Sequence, residues 1–168
     1  MIRTLVRRSS VHRRLLAVGA ALLATIVPMT AAEGAAPSNS DLEVVRIDPD
    51  PAGPGGTTTV HAFIANLGPE QTASPFTVTV TLPDGVTAER PFFPETCTEI
   101  ANGRRVRCTF LDAVARFDSA TALIPVRLAT TVPINGTLTG GRVEVRSPED
   151  KNRANDERPF EIHVVQDT

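Results

Sequence analysis

Cys97-Thr98-Glu99-Ile100-Ala101-Asn102-Gly103-Arg104-Arg105-Val106-Arg107-Cys108 holds both cysteines of the chain, with an Asn-Gly pair midway between them. Asn-Gly is the strongest short signal for a two-residue hairpin, because both central positions of a type I′ turn need positive φ. Folding the chain at Asn102-Gly103 sets Ala101 opposite Arg104, Glu99 opposite Val106 and Cys97 opposite Cys108. The stretch therefore predicts a disulfide-stapled β-hairpin. Cys108 shares a strand face with Val106 and Phe110, so the bridge is expected beside the core. The pair lacks the spacing of a redox Cys-x-x-Cys, and no further thiol offers a zinc shell, so a structural disulfide is the reading.

Outward from the hairpin, alternation with period two recurs. Phe76, Val78, Val80 and Leu82 alternate with Thr77, Thr79 and Thr81, which predicts a half-buried strand over 75–82. Ala122, Ile124, Val126 and Leu128 repeat the pattern, as do Phe160, Ile162 and Val164. Shorter runs at 42–47, 57–65 and 138–146 also read as strands. Turn signals separate them: Asp48 to Pro51 with Gly53 to Gly56, Asn66 to Pro69, Pro83-Asp84-Gly85, Asn135-Gly136 and Pro148-Glu149-Asp150. No amphipathic helix pattern intervenes beyond a single turn near 111–118. About eight strands with these spacings predict an all-β fold, an immunoglobulin-like antiparallel sandwich.

The N-terminus has the layout of a secretory signal. Arg3, Arg7, Arg8, Arg13 and Arg14 precede the apolar run Leu15 to Val27, and Thr30-Ala31-Ala32 supplies small residues for cleavage after Ala32. The run is shorter than the roughly 20 residues of a spanning helix, so removal is expected and no stable membrane anchor remains. Residues 1–32 are thus read as signal peptide, 33–40 as a flexible leader with little to bury, and 41–166 as one domain. Which export route is taken stays open, although an oxidising destination suits the disulfide.

Five of the 17 basic residues lie in the first 32, which hold no acid; the remainder carries 12 basic against 19 acidic residues. An acidic mature chain is not expected to bind nucleic acid, which requires a basic footprint. With no tryptophan or tyrosine, the core must rest on aliphatic residues and the seven phenylalanines.

Several segments together resemble the conserved-repeat domain of unknown function in bacterial surface and secreted proteins, a relative of bacterial adhesion-type immunoglobulin-like domains. The matching pieces are Asp41-Leu42, Gly56 with the strand to Ala65, Asn66-Leu67-Gly68-Pro69, Val78 to Pro83, Gly85-Val86, Cys97, Val106-Arg107-Cys108, Gly136-Thr137-Leu138 and Val143-Glu144-Val145. They span nearly all of 41–165. The family's closing loop resembles Asp-Pro-Asn-Pro-Ala-Asn-Asn, whereas this chain reads Glu149-Asp150-Lys151-Asn152-Arg153-Ala154-Asn155-Asp156 and gains two cations. Family members often occur as tandem copies in wall-anchored proteins; here one copy ends at Thr168 without a sorting motif, so free secretion is expected. The resemblance implies a non-catalytic extracellular module.

Arg104, Arg105 and Arg107 form a basic cluster at the hairpin tip and its outward face, the candidate site for an extracellular protein or a cell-wall glycan. Such charges also serve simply to protect strand edges. Asp150, Asn152, Asn155 and Asp156 group several oxygens in one loop and are the calcium candidates, with Asp48 and Asp50 a second acidic loop. The loop lacks the glycine and bidentate glutamate of an EF-hand, and Lys151, Arg153 and Arg158 oppose cation binding. The expectation there is a turn whose Asn and Asp side chains bond local backbone, with no metal and no cofactor. His61 and His163 both fall in strands, and no serine sits in a nucleophile elbow, so no catalytic residues are assigned. The rival reading is a small secreted enzyme or enzyme inhibitor on the same scaffold.

Overall fold

A computed structural model describes residues 37–166. Nine strands follow in order: β1 Leu42–Val45, β2 Thr57–Asn66, β3 Phe76–Thr81, β4 Val86–Ala88, β5 Thr98–Ile100, β6 Arg105–Phe110, β7 Ser119–Leu128, β8 Thr137–Arg146 and β9 Glu157–His163. They form two antiparallel sheets, one of four strands in the order β1-β2-β7-β4 and one of five in the order β5-β6-β3-β8-β9. This is the expected immunoglobulin-like sandwich, with one more strand than the alternation predicts. The additional strand is β4, which at three residues is too short to display a period. The first strand stops at Val45 rather than 47, and 111–118 holds a turn at Arg116 and Phe117 without a helix.

The core is the set of inward positions that period two selects. Phe76, Val78, Val80 and Leu82 are buried, as are Ala122, Ile124, Val126 and Leu128, and Phe160, Ile162 and Val164. Their alternating partners Thr77, Thr79, Thr81, Glu161 and His163 lie on the outer face of the five-stranded sheet. Gly141 belongs to the same logic: a Cβ there would stand 2.5 Å from the Phe160 ring, so only a glycine lets that ring close over β8.

The hairpin forms in the register that its symmetry requires. Thr98 pairs with Arg107, Glu99 with Val106 and Ile100 with Arg105. Asn102 and Gly103 have φ of 54° and 77°, and the Arg104 N–H donates to the Ala101 carbonyl at 3.2 Å, which closes a type I′ turn. Cys97 and Cys108 are bonded and buried against the core. The tip also reaches the other sheet. The Ala88 N–H of β4 donates to the Gly103 carbonyl at 3.0 Å, and the Leu82 N–H donates to the Arg104 carbonyl at the same distance.

On the opposite side of the sandwich, β1 and β9 are stitched by side chains. The Asp48 carboxylate accepts the Glu161 N–H at 3.0 Å, and Arg46 bonds both Asp48 and Glu161. Arg158 reaches Glu43 at 3.3 Å, and Ala52 bridges Val164. Burial by itself would push the Asp48 carboxyl up, but Arg46 and the Glu161 N–H outweigh it and hold it below the usual carboxylate range. These partners occupy strand-edge groups that would otherwise invite pairing with another chain.

Candidate functional site

Alternation along β6 buries Val106 and Cys108 and turns Arg105 and Arg107 outward. Arg105 lies in register with Thr81 and Arg107 with Thr79, so both project from the outer face of the five-stranded sheet beside a row of threonines. The next strand continues the rows, since Thr81 pairs with Arg142 and Thr79 with Glu144. On that side every charge has a partner: Arg142 meets Glu157 at 3.6 Å, Arg146 bonds Glu144, and Arg146 lies 3.6 Å from Asp156. Arg105 and Arg107 are exposed and pair with no acid among the described residues. The expected three-arginine cluster therefore divides. Arg104 sits at the turn and bonds Asp84 at 2.6 Å, while Arg105 and Arg107 stand together on the sheet.

One end of the sandwich carries buried polar groups that composition does not announce. Ser38 and Ser40 are buried, although residues 33–40 read as a leader; residues 33–36, like the expected signal peptide and its cleavage site, lie outside the described residues. The group holding this segment is Glu149, which is only 3% exposed. Its carboxylate accepts from the Ser38 hydroxyl at 2.7 Å and the Ala73 N–H at 2.9 Å. Burial pushes the Glu149 carboxyl up, yet the Ala73 N–H and the Ser74 and Ser38 hydroxyls together hold it below its ordinary value.

Asn66 performs the same service beside it. Its amide donates to the carbonyls of Glu70 at 2.8 Å and Val114 at 3.0 Å, and its oxygen accepts the N–H of Gly68 at 3.1 Å and Asp41 at 3.3 Å. All four hydrogen-bonding positions of the side chain are used, so its burial leaves none of its polar groups unsatisfied. Gly68 completes the motif, since a Cβ there would stand 2.5 Å from the Asp41 nitrogen. The Asn66-Leu67-Gly68-Pro69 stretch is thus a latch between loops.

The calcium candidates belong to this end. Asp150 is buried and accepts the Leu42 N–H at 2.7 Å and the Asn152 N–H at 2.8 Å. Asn155 donates to Asp41 at 2.9 Å, Asn152 donates to the same carboxylate at 3.3 Å, and Arg153 bonds Asp156 at 2.9 Å. These side chains tie the β8–β9 loop to the start of β1 and to its own backbone. Burial, with the charges of Asp156 and Asp41, raises the Asp150 carboxyl against the pull of its two N–H donors. Among the described residues no three His, Cys, Asp or Glu side chains are grouped so as to hold a metal ion. Glu149 Oε1, Asn155 Oδ1 and Asp156 Oδ1 are buried with no protein partner.

The two histidines fall on separate strands. His163 points outward and shares a 3.1 Å hydrogen bond with the Thr137 hydroxyl. His61 is exposed on β2, on the outer face of the other sheet, beside Leu123 of β7.

No family model matches the chain, and no curated protein is similar to it in sequence. Its likeness is to solved structures. The third cohesin of ScaC from Acetivibrio cellulolyticus, solved in complex with the ScaB dockerin, is 14% identical; the match covers 74% of this chain and 99% of that one, with a TM-score of 0.50. The cohesin CaCohA2 of Clostridium acetobutylicum is 13% identical over 77% of this chain and 94% of its own, again with a TM-score of 0.50. BcpA, the major pilin subunit of Bacillus cereus, matches 77% of this chain at 12% identity and a TM-score of 0.49, across 40% of its own length. At these identities the likeness is one of fold, and the chain shares the immunoglobulin-like sandwich of the two cohesins.

Proposed function

We propose that the protein is a secreted, non-catalytic binding module of the cell exterior that docks an acidic protein surface on the outer face of its five-stranded sheet, through Arg105 and Arg107. The observation that carries this reading is their exposure without an acidic partner, in a sheet whose other arginines are all neutralised. Two guanidinium groups at successive outward positions of one strand suit bidentate bonding to carboxylates at low entropic cost. The acidic balance of the chain makes this local cation strip a discriminating feature. The ScaC cohesin, similar in fold, is solved in complex with a dockerin, which supports a protein-binding reading for this scaffold.

Membership of the conserved-repeat surface family, secretion and association with the cell wall belong to the same proposal. Cell-wall glycan bearing anionic groups is the other partner this surface suits. The test is capture from the native secreted fraction and from isolated wall material with the wild-type chain, Arg105→Ser/Arg107→Ser and Arg104→Ser. The double variant is expected to bind at least tenfold more weakly, with binding that falls steeply with salt, whereas Arg104→Ser retains it. Unchanged binding by the double variant removes the site, and turnover of a substrate panel removes the module reading.

A further inference from the structure

In the four-stranded sheet, the β7 edge beyond β4 has a stretch with no partner strand among the described residues, and it borders an apolar groove. In the β2–β7 ladder, residues of odd number on β7 turn their backbone groups away from β2 and toward β4. The Leu123 N–H and carbonyl bond Phe93, the Pro125 carbonyl accepts the Glu89 N–H, and the Ala129 N–H donates to Gly85. Thr121 has the same parity. The chain opposite leaves β7 at Pro94, whose carbonyl accepts the Cys97 N–H in a turn, so no backbone group of the described residues pairs with the outward N–H and carbonyl of Thr121. The neighbouring Ser119 N–H is satisfied by Asp118 at 2.8 Å.

Beside this edge runs a groove of about 360 Å³ whose floor is Phe93, Phe110, Val114 and Ala120. Phe110 is held by stacking on Phe76, with ring centroids 4.9 Å apart, so the floor is formed in advance of any partner. Asp112 and Asp118 stand on the rim, both exposed, and neither pairs with a cation among the described residues. The nearest arginine in sequence, Arg116, lies over the Phe117 ring at 4.2 Å. Leu111, Phe93 and Phe117 add exposed apolar surface, at 67%, 56% and 70%.

We infer that this groove receives an extended, basic segment of a partner protein, which adds as a short strand to β7 at Thr121, buries an apolar side chain on Phe110 and Val114, and sets cationic residues on Asp112 and Asp118. Unpaired strand groups supply affinity, the apolar floor supplies a pocket for alternate side chains, and the rim sets the sign of charge. This surface is separate from the arginine strip and does not depend on it.

The test uses the purified chain and a nine-residue peptide that alternates valine and threonine with two arginines at each end. Fluorescence anisotropy is expected to show saturable binding, and the Thr121 amide is expected to become protected from hydrogen exchange. A peptide with glutamates in place of the arginines should bind at least tenfold more weakly, and so should the arginine peptide to Asp112→Lys, a surface change that leaves the fold's hydrogen bonds untouched. Thr121→Pro removes the donor and should weaken binding further, read only if its melting curve is intact. Arg105→Ser/Arg107→Ser should bind the peptide as wild type does. Absence of binding at millimolar peptide, equal binding of the two peptides, indifference to Asp112→Lys, or a dimer of the chain that buries the groove would each overturn the assignment.

Discussion

Single residues carry much of this structure, and the turn at the hairpin shows both a gain and a cost. Asn102 and Gly103 suit left-handed backbone, but Ala101 also has a φ of 54°. An alanine there pays for its Cβ by roughly 1–2 kcal/mol. Ala101→Gly is therefore expected to raise stability by about 1 kcal/mol, seen as a higher denaturant midpoint with an unchanged slope. Asn66 lies at the other extreme, with four hydrogen bonds and no exposure. Asn66→Ala strands the buried backbone groups of Gly68 and Val114 and the part-buried ones of Asp41 and Glu70, and is expected to cost about 3 kcal/mol in urea denaturation. The Asn-Gly turn was legible from sequence because its chemistry is local. The role of Asn66 was visible only as part of a motif, since its partners come from segments up to 48 residues away.

At the scale of elements, alternation revealed the long strands because one face is wet and the other dry. Phe76 to Leu82 and Ala122 to Leu128 show this directly, and the pairing across Asn102-Gly103 gave the hairpin register. β4 escaped because three residues cannot express a period, and its place depends on bonds to β7 and to the hairpin tip. The arginine strip was half legible: alternation puts Arg105 and Arg107 on one face, but only the folded chain brings Asp84 to Arg104. The disulfide acts at this scale as well. Its short loop should contribute about 2–3 kcal/mol by restricting the unfolded chain. Reduction is expected to lower the melting temperature by several degrees, and an unchanged curve in reductant would contradict that.

For the whole molecule, stability at acid pH turns on the polar end of the sandwich. Glu149 has its carboxyl lowered in the folded state, so it adds stability above the unfolded value of about 4.3, and that contribution disappears as pH falls through the lower folded value. Asp48 behaves in the same direction. Asp150 opposes them, because its raised carboxyl favours the folded state when protonated. Glu149→Gln should therefore destabilise the protein at neutral pH and flatten the acid limb of its stability profile below about pH 5, as measured by melting across pH; an unaltered limb would show that another carboxylate controls it. None of this was readable from composition, in which Ser38, Ser40 and Glu149 look like solvent-facing residues of a leader and a turn.

The stitching of β1 to β9 has a mechanical meaning. The described chain enters beside Glu149, where Ser38 is held, and leaves where Val164 bonds Gly136, at the other end of β8. Entry and exit thus lie about one strand length apart, on the order of 33 Å for ten residues. A tensile load applied between them would run along β1 and β9 and strain the Val44–Asn155, Asp48–Glu161 and Ala52–Val164 contacts together rather than unzip them one by one. The same bonds that shield the sheet edges from other chains would thus be loaded in shear, and forced unfolding between the two ends is expected to break them in a single step.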